Sequence, residues 1–192
     1  MLRALLGGAG ATVEVLDSVA DDDDAHREAI ERGLGHDVLV SSGGVSVGPH
    51  DLVRHIEAEL GVEEVFWGVS VRPGKPLAFG VRGRTLVFGL PGNPVSSLVS
   101  AVLFVLPALR ALQGERDPAP PYRLGTLARV IRPDARRDEL ARAVLTRDGT
   151  LEPLSGQESH MIVRAAAANA LVYVPAGSDE LPPGSTVRYL EL

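Results

Sequence analysis

The chain has 192 residues, enough for one large or two small domains, and its hydrophobic fraction of 45% argues against intrinsic disorder. It contains no cysteine, which excludes disulfides, thiolate metal sites and cysteine nucleophiles and fits a reducing compartment. The formal net charge of −6 disfavours a general nucleic-acid surface, although a pocket on an acidic protein can still be locally positive.

The sequence gives little sign of export or of a membrane. The N-terminal segment MLRALLGGAGATVEVLDS lacks a long apolar core followed by a small-residue cleavage site, so no signal peptide is expected. Residues 95–113 are apolar and carry a single charge, Arg110, but three serines and Pro107 interrupt them and aromatic anchors are missing at both ends. We therefore expect a buried helix there, and a cytoplasmic protein without membrane contact.

Strands and helices alternate in the first part of the chain. Residues 13–19 read as a short strand and residues 25–34 as a helix that follows an acidic turn. Residues 37–41 form a continuous apolar run, as in a buried parallel strand. A helix is predicted over residues 49–60, with a proline first and a glycine after its end, and another strand over residues 64–71.

The next elements are a hairpin and a long helix. Residues 77–80 and 85–88 are predicted strands around a glycine turn. The helix that follows has Asn93 as its N-cap and a proline at its first position, and it ends near Gly114. Pro107 is expected to bend or split it, because proline cannot donate the backbone hydrogen bond.

The alternation up to residue 114 predicts an α/β domain with three layers and a mostly parallel sheet. Residues 115–121 are polar and contain three prolines, so they read as a linker. Short β-like runs then predict a small β-barrel-like domain, at residues 124–131, 139–145, 171–174 and 186–190. The expected domains are 1–114 and 122–192.

Three glycine-rich loops in the first domain each follow a predicted strand: GGVSVG (43–48), PGKP (73–76) and LPGNP (90–94). Glycine lets the backbone approach a ligand closely, and the helices that begin after the first and third loops offer free N–H groups. In open α/β sheets, ligands bind at the carboxyl ends of the strands. The three loops therefore predict a site for an anion or a phosphate group.

Charged residues beside these loops are candidates for chemistry. Asp51 follows GGVSVG and suits Mg²⁺, which prefers one or two carboxylates with substrate phosphate oxygens, although a carboxylate there also complements a helix dipole. The run Asp21–Asp24 raises the same two alternatives. Arg72 and Lys75 flank the PGKP turn, and Lys75 is the only lysine among 19 lysine and arginine residues, which suggests a need for a compact ammonium group.

These motifs together resemble a known family. DVLVSSGGVSVGPHD (37–51), FWGVSVRPGKPLAFG (66–80), VFGLPGNPVSSLVS (87–100) and PALRALQG (107–114) are similar to the molybdopterin-binding domain of the molybdopterin molybdenumtransferases, the MoeA and gephyrin E-domain family. A weaker pattern resembles the family's C-terminal β-barrel domain: Arg137 and Arg142, then Gly156-Gln157 with Ser159, then Ala168-Asn169.

The resemblance implies a reaction and a set of residues. The family uses Mg²⁺ to insert molybdate into adenylylated molybdopterin with release of AMP, and it works as a homodimer. By motif, Asp51 and Asp21 would bind the metal, Arg72 and Lys75 would act with Asp51 on the reacting groups, and Arg142 and Ser159 would hold molybdate. The remaining substrate-binding positions would be Gly43, Gly44, Ser46, Gly48, Pro73, Gly74, Pro91, Gly92, Asn93 and Ser96.

The chain also departs from the family pattern. Gly68 replaces a lysine found in many members, so one molybdate contact is expected to be missing. The family's two N-terminal domains and the first strand of the molybdopterin domain, with its TGDEL-type loop, are absent from this sequence. From this the sheet is expected to lack one strand and the chain to be marginally stable, self-associated or dependent on a missing segment.

Two other functions fit the same residues. Molybdopterin adenylyltransferase, which attaches AMP to molybdopterin, shares the first domain's fold, but PGKP, LPGNP and the β-rich C-terminal part favour the molybdenumtransferase. A non-catalytic binding or scaffold module of the same family is the second alternative, and it would bind neither molybdopterin nor molybdate.

Overall fold

The computed structural model describes residues 1–16, 18–19, 22–44, 52–155 and 167–192. The chain divides into two compact units. The first comprises Met1–Val69 and Gly74–Arg116, and the second comprises Ser70–Pro73 and Asp117–Leu192. The division after residue 116 falls within the predicted linker. That Ser70–Pro73 belongs to the second unit was not predicted.

The first unit is an α/β fold. Its helices are α1 (Leu2–Gly8), α2 (Asp23–Gly33), α3 (Leu52–Glu59), α4 (Pro94–Ser100) and α5 (Leu106–Leu112). Its strands are β1 (Val38–Ser42), β2 (Glu63–Trp67), β4 (Ala78–Arg82) and β5 (Thr85–Leu90), and they form one sheet in the order β1-β5-β4-β2. A strand expected at residues 13–19 is not found among the described residues of that segment.

The sheet is mixed, which corrects the expected predominance of parallel pairing. Strand β1 runs parallel to β5, with Val40 opposite Phe88. Strand β4 is antiparallel to both β5 and β2. The cause is local: the two-residue turn Gly83-Arg84 reverses the chain between β4 and β5, and a tight hairpin can join only antiparallel strands.

Helices cover both faces of this sheet, which confirms the expected three-layer α/β arrangement. On one face, Phe88 and Leu90 pack with Leu109 of α5 and with Leu6 of α1. On the other face, Val87 packs with apolar side chains of α2, of its C-cap and of α3, namely Ile30, Leu34, Val53 and Ile56. The central strand β5 is thereby buried on both sides, whereas the edge strands β1 and β2 remain partly exposed.

A continuous helical run extends from Pro94 to Leu112, and a π-helical turn at Ala101–Val105 lies between α4 and α5. The predicted interruption near Pro107 therefore takes the form of a π-helical turn just before α5, since proline cannot donate to the carbonyl four residues earlier. In the described part of the chain, this is the one helix that is long and apolar enough to cross a membrane, and 56% of its apolar stretch is buried.

The second unit is a closed small β-barrel, as predicted. Its strands are β3 (Val71–Arg72), β6 (Arg123–Leu127), β7 (Asp138–Leu145), β8 (Thr150–Pro153), β9 (Ala170–Val174) and β10 (Thr186–Glu191). They follow the order β3-β7-β8-β6-β10-β9, and an additional β7–β9 pairing closes the ring. Leu151, Val172, Val187 and Tyr189 fill the interior with other apolar residues.

The predicted strand at residues 64–71 is in fact two strands that belong to different units. Strand β2 ends at Trp67, and β3 begins at Val71 and pairs in parallel with β7 of the barrel, Val71 opposite Asp138. Gly68 separates them with φ of +82°, a left-handed conformation that a strand residue does not adopt.

Candidate functional site

The parts of the predicted loops that lie in the first unit meet at one edge of its sheet. Strands β1 and β5 are parallel, so the backbone after Ser42 and after Leu90 leaves the sheet on the same side. Strand β4 begins where β5 ends, with Ala78 opposite Gly89, and this brings the segment after Gly74 to the same edge. The edge is therefore the carboxyl end of β1 and β5, where ligands of such sheets bind.

Glycines let two of these loops approach closely. A Cβ atom built on Gly92 would lie 3.4 Å from the Cα of Gly43, and the backbone N–H of Gly43 donates to the carbonyl of Leu90 at 3.0 Å. Gly44 has φ of +72°, and a Cβ there would lie 2.5 Å from Cγ2 of Val53. The two loops can therefore approach each other closely because neither glycine carries a side chain.

Asn93 fixes the loop after β5 to the start of α4. Its side-chain oxygen accepts hydrogen bonds from the backbone N–H groups of Val95 at 3.0 Å and Ser96 at 3.3 Å. This is the predicted N-cap, and it leaves the amide nitrogen of Asn93 as the group able to bind an anion. Ser96 itself is buried in the first turn of α4.

Two serines that were not proposed as site residues brace the same loop. The Ser97 hydroxyl is buried and donates to the carbonyls of Pro91 and Asn93, the latter at 3.1 Å. Ser42, the last residue of β1, lies 3.4 Å from the Ser97 hydroxyl. The serines in the motif VSSLVS were visible in the sequence, but the contact between Ser97 and Ser42 joins residues 55 positions apart and was not.

Gly74 is pressed against α4. Its φ is +126°, and a Cβ atom there would lie 3.0 Å from Oγ of Ser100. Ser100 is 1% exposed, and its hydroxyl has no hydrogen-bond partner among the residues that the structure describes. The conformation and the contact both require glycine at this position.

Lys75 is exposed, and its backbone is firmly held. The Lys75 carbonyl accepts hydrogen bonds from the N–H groups of Val69 at 2.9 Å and Leu77 at 3.0 Å. Within the described ranges its ammonium group forms no ion pair. A fixed backbone with a solvated cation suits a residue that meets a negatively charged substrate.

Arg72 and Arg142 belong to the second unit, whereas Lys75 belongs to the first. Nη1 of Arg72 lies 3.9 Å from the Asp134 carboxylate and 4.0 Å from the Glu139 carboxylate. Arg142, on β7 three residues after Glu139, is 3% exposed. Of these three predicted cations, Lys75 thus belongs to the unit that carries the glycine loops, whereas Arg72 and Arg142 lie on strands of the barrel.

The two carboxylates near Arg72 are shifted in opposite directions. Burial raises the pKa of Glu139 above its ordinary value, and the Arg72 guanidinium opposes that change. The backbone N–H of Arg136 donates to Asp134 at 2.8 Å and, with that of Arg137, holds the pKa of Asp134 below its usual range. Burial therefore dominates the pKa of Glu139, and backbone hydrogen bonds dominate that of Asp134.

Several predicted residues lie outside the described part of the chain. They are Asp21, Ser46, Gly48, Asp51 and Ser159. Among the described residues no three histidine or acidic side chains converge as a metal site would require, and this does not test the predicted ligands Asp51 and Asp21. The described aspartates of the acidic run start α2: Asp22 is its N-cap and accepts from Ala25, and Asp23 and Asp24 lie in its first turn.

Known families and proteins match both units. Residues 1–111 match a family model described as "Probable molybdopterin binding domain", and residues 125–192 match the MoeA C-terminal region, domain IV. The chain is 33% identical to "Molybdopterin molybdenumtransferase 2" of Mycobacterium tuberculosis over 202 residues, covering 100% of this chain and 49% of that protein. It is 31% identical to the Staphylococcus aureus molybdopterin molybdenumtransferase, covering 97% of this chain and 46% of that one.

Solved structures show the same fold. A molybdenum cofactor biosynthesis protein of Pyrococcus furiosus superposes with a TM-score of 0.79 at 24% identity, covering 100% of this chain and 62% of that one. A molybdopterin biosynthesis MoeA protein of Pyrococcus horikoshii superposes with a TM-score of 0.78 at 20% identity, covering 100% and 45%. The chain spans about half the length of the curated relatives that it matches.

Proposed function

The chain belongs to the molybdopterin-binding domain family and carries the MoeA C-terminal region, and we propose that it inserts molybdate into adenylylated molybdopterin with release of AMP. The observation that carries the proposal is the convergence of Gly43, Gly92 and the Gly74-Lys75 segment on one edge of the sheet. A substrate with a phosphate and a pyrophosphate needs such a concentration of backbone donors and a cation.

The second unit separates this reaction from its closest alternative. Molybdopterin adenylyltransferase would require the first unit's fold alone, whereas this chain also matches the MoeA C-terminal region over residues 125–192. That barrel carries Arg142 and Arg72, the cations proposed to meet molybdate and the reacting groups. The presence of both units supports the molybdenum insertion step.

Each part of the chain has a role in the proposed reaction. The amides near Gly43 and Gly92 would bind phosphate oxygens, and the Asn93 amide nitrogen would add a donor. Lys75 would offset the negative charge of the substrate as a point charge. Mg²⁺, held by Asp51 and Asp21, would supply Lewis-acid polarisation of the pyrophosphate. We propose a cytoplasmic homodimer as the working form, without nucleic-acid or membrane contact.

The reaction is tested by incubating the protein with adenylylated molybdopterin, Mg²⁺ and molybdate and measuring AMP. We expect AMP release that depends on molybdate. Attachment of AMP to molybdopterin from ATP would instead assign the adenylyltransferase reaction, and binding of neither molybdopterin nor molybdate would leave a scaffold role.

Asp51→Ala tests the metal. We expect the dependence on Mg²⁺ to weaken in calorimetry with the adenylylated substrate, because a carboxylate ligand is lost. Asp37→Ala is the matched control, since Asp37 is exposed at the opposite end of β1. An unchanged Mg²⁺ dependence in Asp51→Ala would remove Asp51 from the site.

A further inference from the structure

Two buried serines of α4 differ in how their hydroxyl groups are engaged. Ser97 donates to the carbonyls of Pro91 and Asn93. Ser100, three residues further along the helix, is equally buried, yet its hydroxyl forms no hydrogen bond within the described ranges. Most buried hydroxyl groups in proteins have a partner, because taking an unpaired one out of water costs free energy. Ser100 is therefore an exception that its surroundings must explain.

The backbone segment beside Ser100 is also incompletely hydrogen-bonded. A Cβ atom on Gly74 would lie 3.0 Å from Oγ of Ser100, so the Gly74 backbone passes directly beside the hydroxyl. Gly74 is buried, and in the part of the chain that the structure describes neither its N–H nor its carbonyl forms a hydrogen bond. The same holds there for the N–H of Lys75. A hydroxyl donor and a carbonyl acceptor thus belong to neighbouring buried residues without being paired.

The hydrogen bonds of Lys75 limit which part of this segment can move. The Lys75 carbonyl is held by the N–H groups of Val69 at 2.9 Å and Leu77 at 3.0 Å. Within the described residues the peptide group between Gly74 and Lys75 has no such restraint, and the glycine on one side allows it a wide range of backbone angles. Rotation of this group can therefore redirect one carbonyl and one N–H while the chain after Lys75 stays in place.

We propose that this peptide group rotates when the substrate binds and that Ser100 is the positioning residue for the rotated state. The Ser100 hydroxyl then donates to the Gly74 carbonyl, and the N–H of Lys75 turns toward an anionic group of the substrate. The rotation pairs groups that the free protein leaves unpaired, so these hydrogen bonds stabilise only the complex. This inference rests on the proposed function and adds a residue that orients the loop carrying Lys75.

Two serine variants of the full chain distinguish this role from a structural one. Ser100→Ala removes an unpaired buried hydroxyl, so the melting temperature of the free protein should stay the same or rise. Ser97→Ala removes a hydroxyl that is already bonded, so the melting temperature should fall by about 2–4 °C. Calorimetry with adenylylated molybdopterin should show about fivefold weaker binding by Ser100→Ala, the loss expected for one hydrogen bond formed only in the complex.

A further variant and a further measurement cover the case in which Ser100→Ala alters the packing of α4. Ser100→Cys nearly keeps the volume of the side chain but supplies only a weak donor, so it should bind the substrate as weakly as Ser100→Ala does. Amide hydrogen exchange reports on the backbone itself. The substrate should slow exchange of the Lys75 amide in the wild-type chain, and much less in the two Ser100 variants.

Three results would overturn the role of Ser100: an equal fall in melting temperature for Ser100→Ala and Ser97→Ala, an unchanged affinity in Ser100→Ala, or equal slowing of exchange at Lys75 in all variants. Weaker binding by both Ser100 variants without AMP release by the wild type would remove the reaction and keep the positioning role. AMP release by the wild type with equal affinities would do the reverse. A wild-type chain that does not bind adenylylated molybdopterin would exclude both.

Discussion

The loop edge of the first unit and the charge cluster of the second unit are built on different principles. At the loop edge, glycines let the loop backbones approach closely, and Lys75 is an exposed cation in one of these loops. In the barrel, charged side chains lie on or beside strands and neutralise one another, as Arg72 does with Asp134 and Glu139. A site made of backbone should fail abruptly when its geometry changes, whereas a cluster of side chains should respond gradually to charge and pH.

The largest effect is expected for Gly74→Ala. The substitution adds a Cβ at φ of +126° and 3.0 Å from Oγ of Ser100, and such strain costs about 2–3 kcal/mol. Thermal unfolding should show that loss together with loss of substrate binding. Gly83→Ala, in a turn with nothing within 4 Å, should cost only about 1 kcal/mol, and similar costs for the two variants would contradict a special fit at Gly74.

Lys75→Arg tests whether the loop edge needs a particular shape of cation or only a positive charge. It keeps the cation but replaces a compact ammonium with a planar fork, and we expect AMP release to fall at least about tenfold. Stability should stay within about 0.5 kcal/mol, because the side chain is exposed. The reverse change at an exposed turn, Arg84→Lys, is the control and should be silent. Full activity in Lys75→Arg would show that only charge matters there.

Two variants of Asn93 distinguish its role as an N-cap from its role in binding the substrate. Asn93→Ala removes an N-cap that accepts two backbone N–H groups and should cost about 1 kcal/mol. Asn93→Asp keeps the cap but sets a carboxylate beside the loop, so unfolding should change little while the affinity for the substrate falls. Asp22→Ala removes the cap of α2 at a similar cost and should leave binding intact. Equal binding by both Asn93 variants would exclude an electrostatic role.

The smallest effects are expected in the barrel, and they should have opposite signs. The pKa of Glu139 is raised by burial, so the stability it contributes is present below its unfolded value of about 4.5 and is lost as the pH rises. Glu139→Gln should therefore be more stable than wild type at neutral pH and equal to it in acid. Asp134 has a lowered pKa, so Asp134→Asn should lose stability at neutral pH and converge with wild type in acid.

Denaturant titrations of both variants from acid to neutral pH measure whether each change raises or lowers the free energy of unfolding. If both variants instead gained stability, or both lost it, at neutral pH, the two carboxylates would not act independently.

Elements set by short-range signals could be predicted from the sequence. The Asn93 cap, the strand before the first glycine loop and the hairpin around Gly83 all depend on residues a few positions apart. The failures depended on distant partners. Nothing near Val71 shows that it pairs with Asp138, so one strand was predicted over residues 64–71 where the structure has two. Loop positions in the candidate site were therefore easier to locate than the contacts of its arginines.

Because Ser70–Pro73 belongs to the barrel, the two units cannot be separated by one cut in the chain. The backbone passes between the units after Val69, after Pro73 and again after Arg116. A cut in the linker at residues 115–121 would therefore leave β3 hydrogen-bonded to β7, and the two pieces should migrate together until denatured. A fragment that begins at Asp117 would lack one strand of its own sheet. The complete barrel therefore cannot be exchanged by joining chains at a single position.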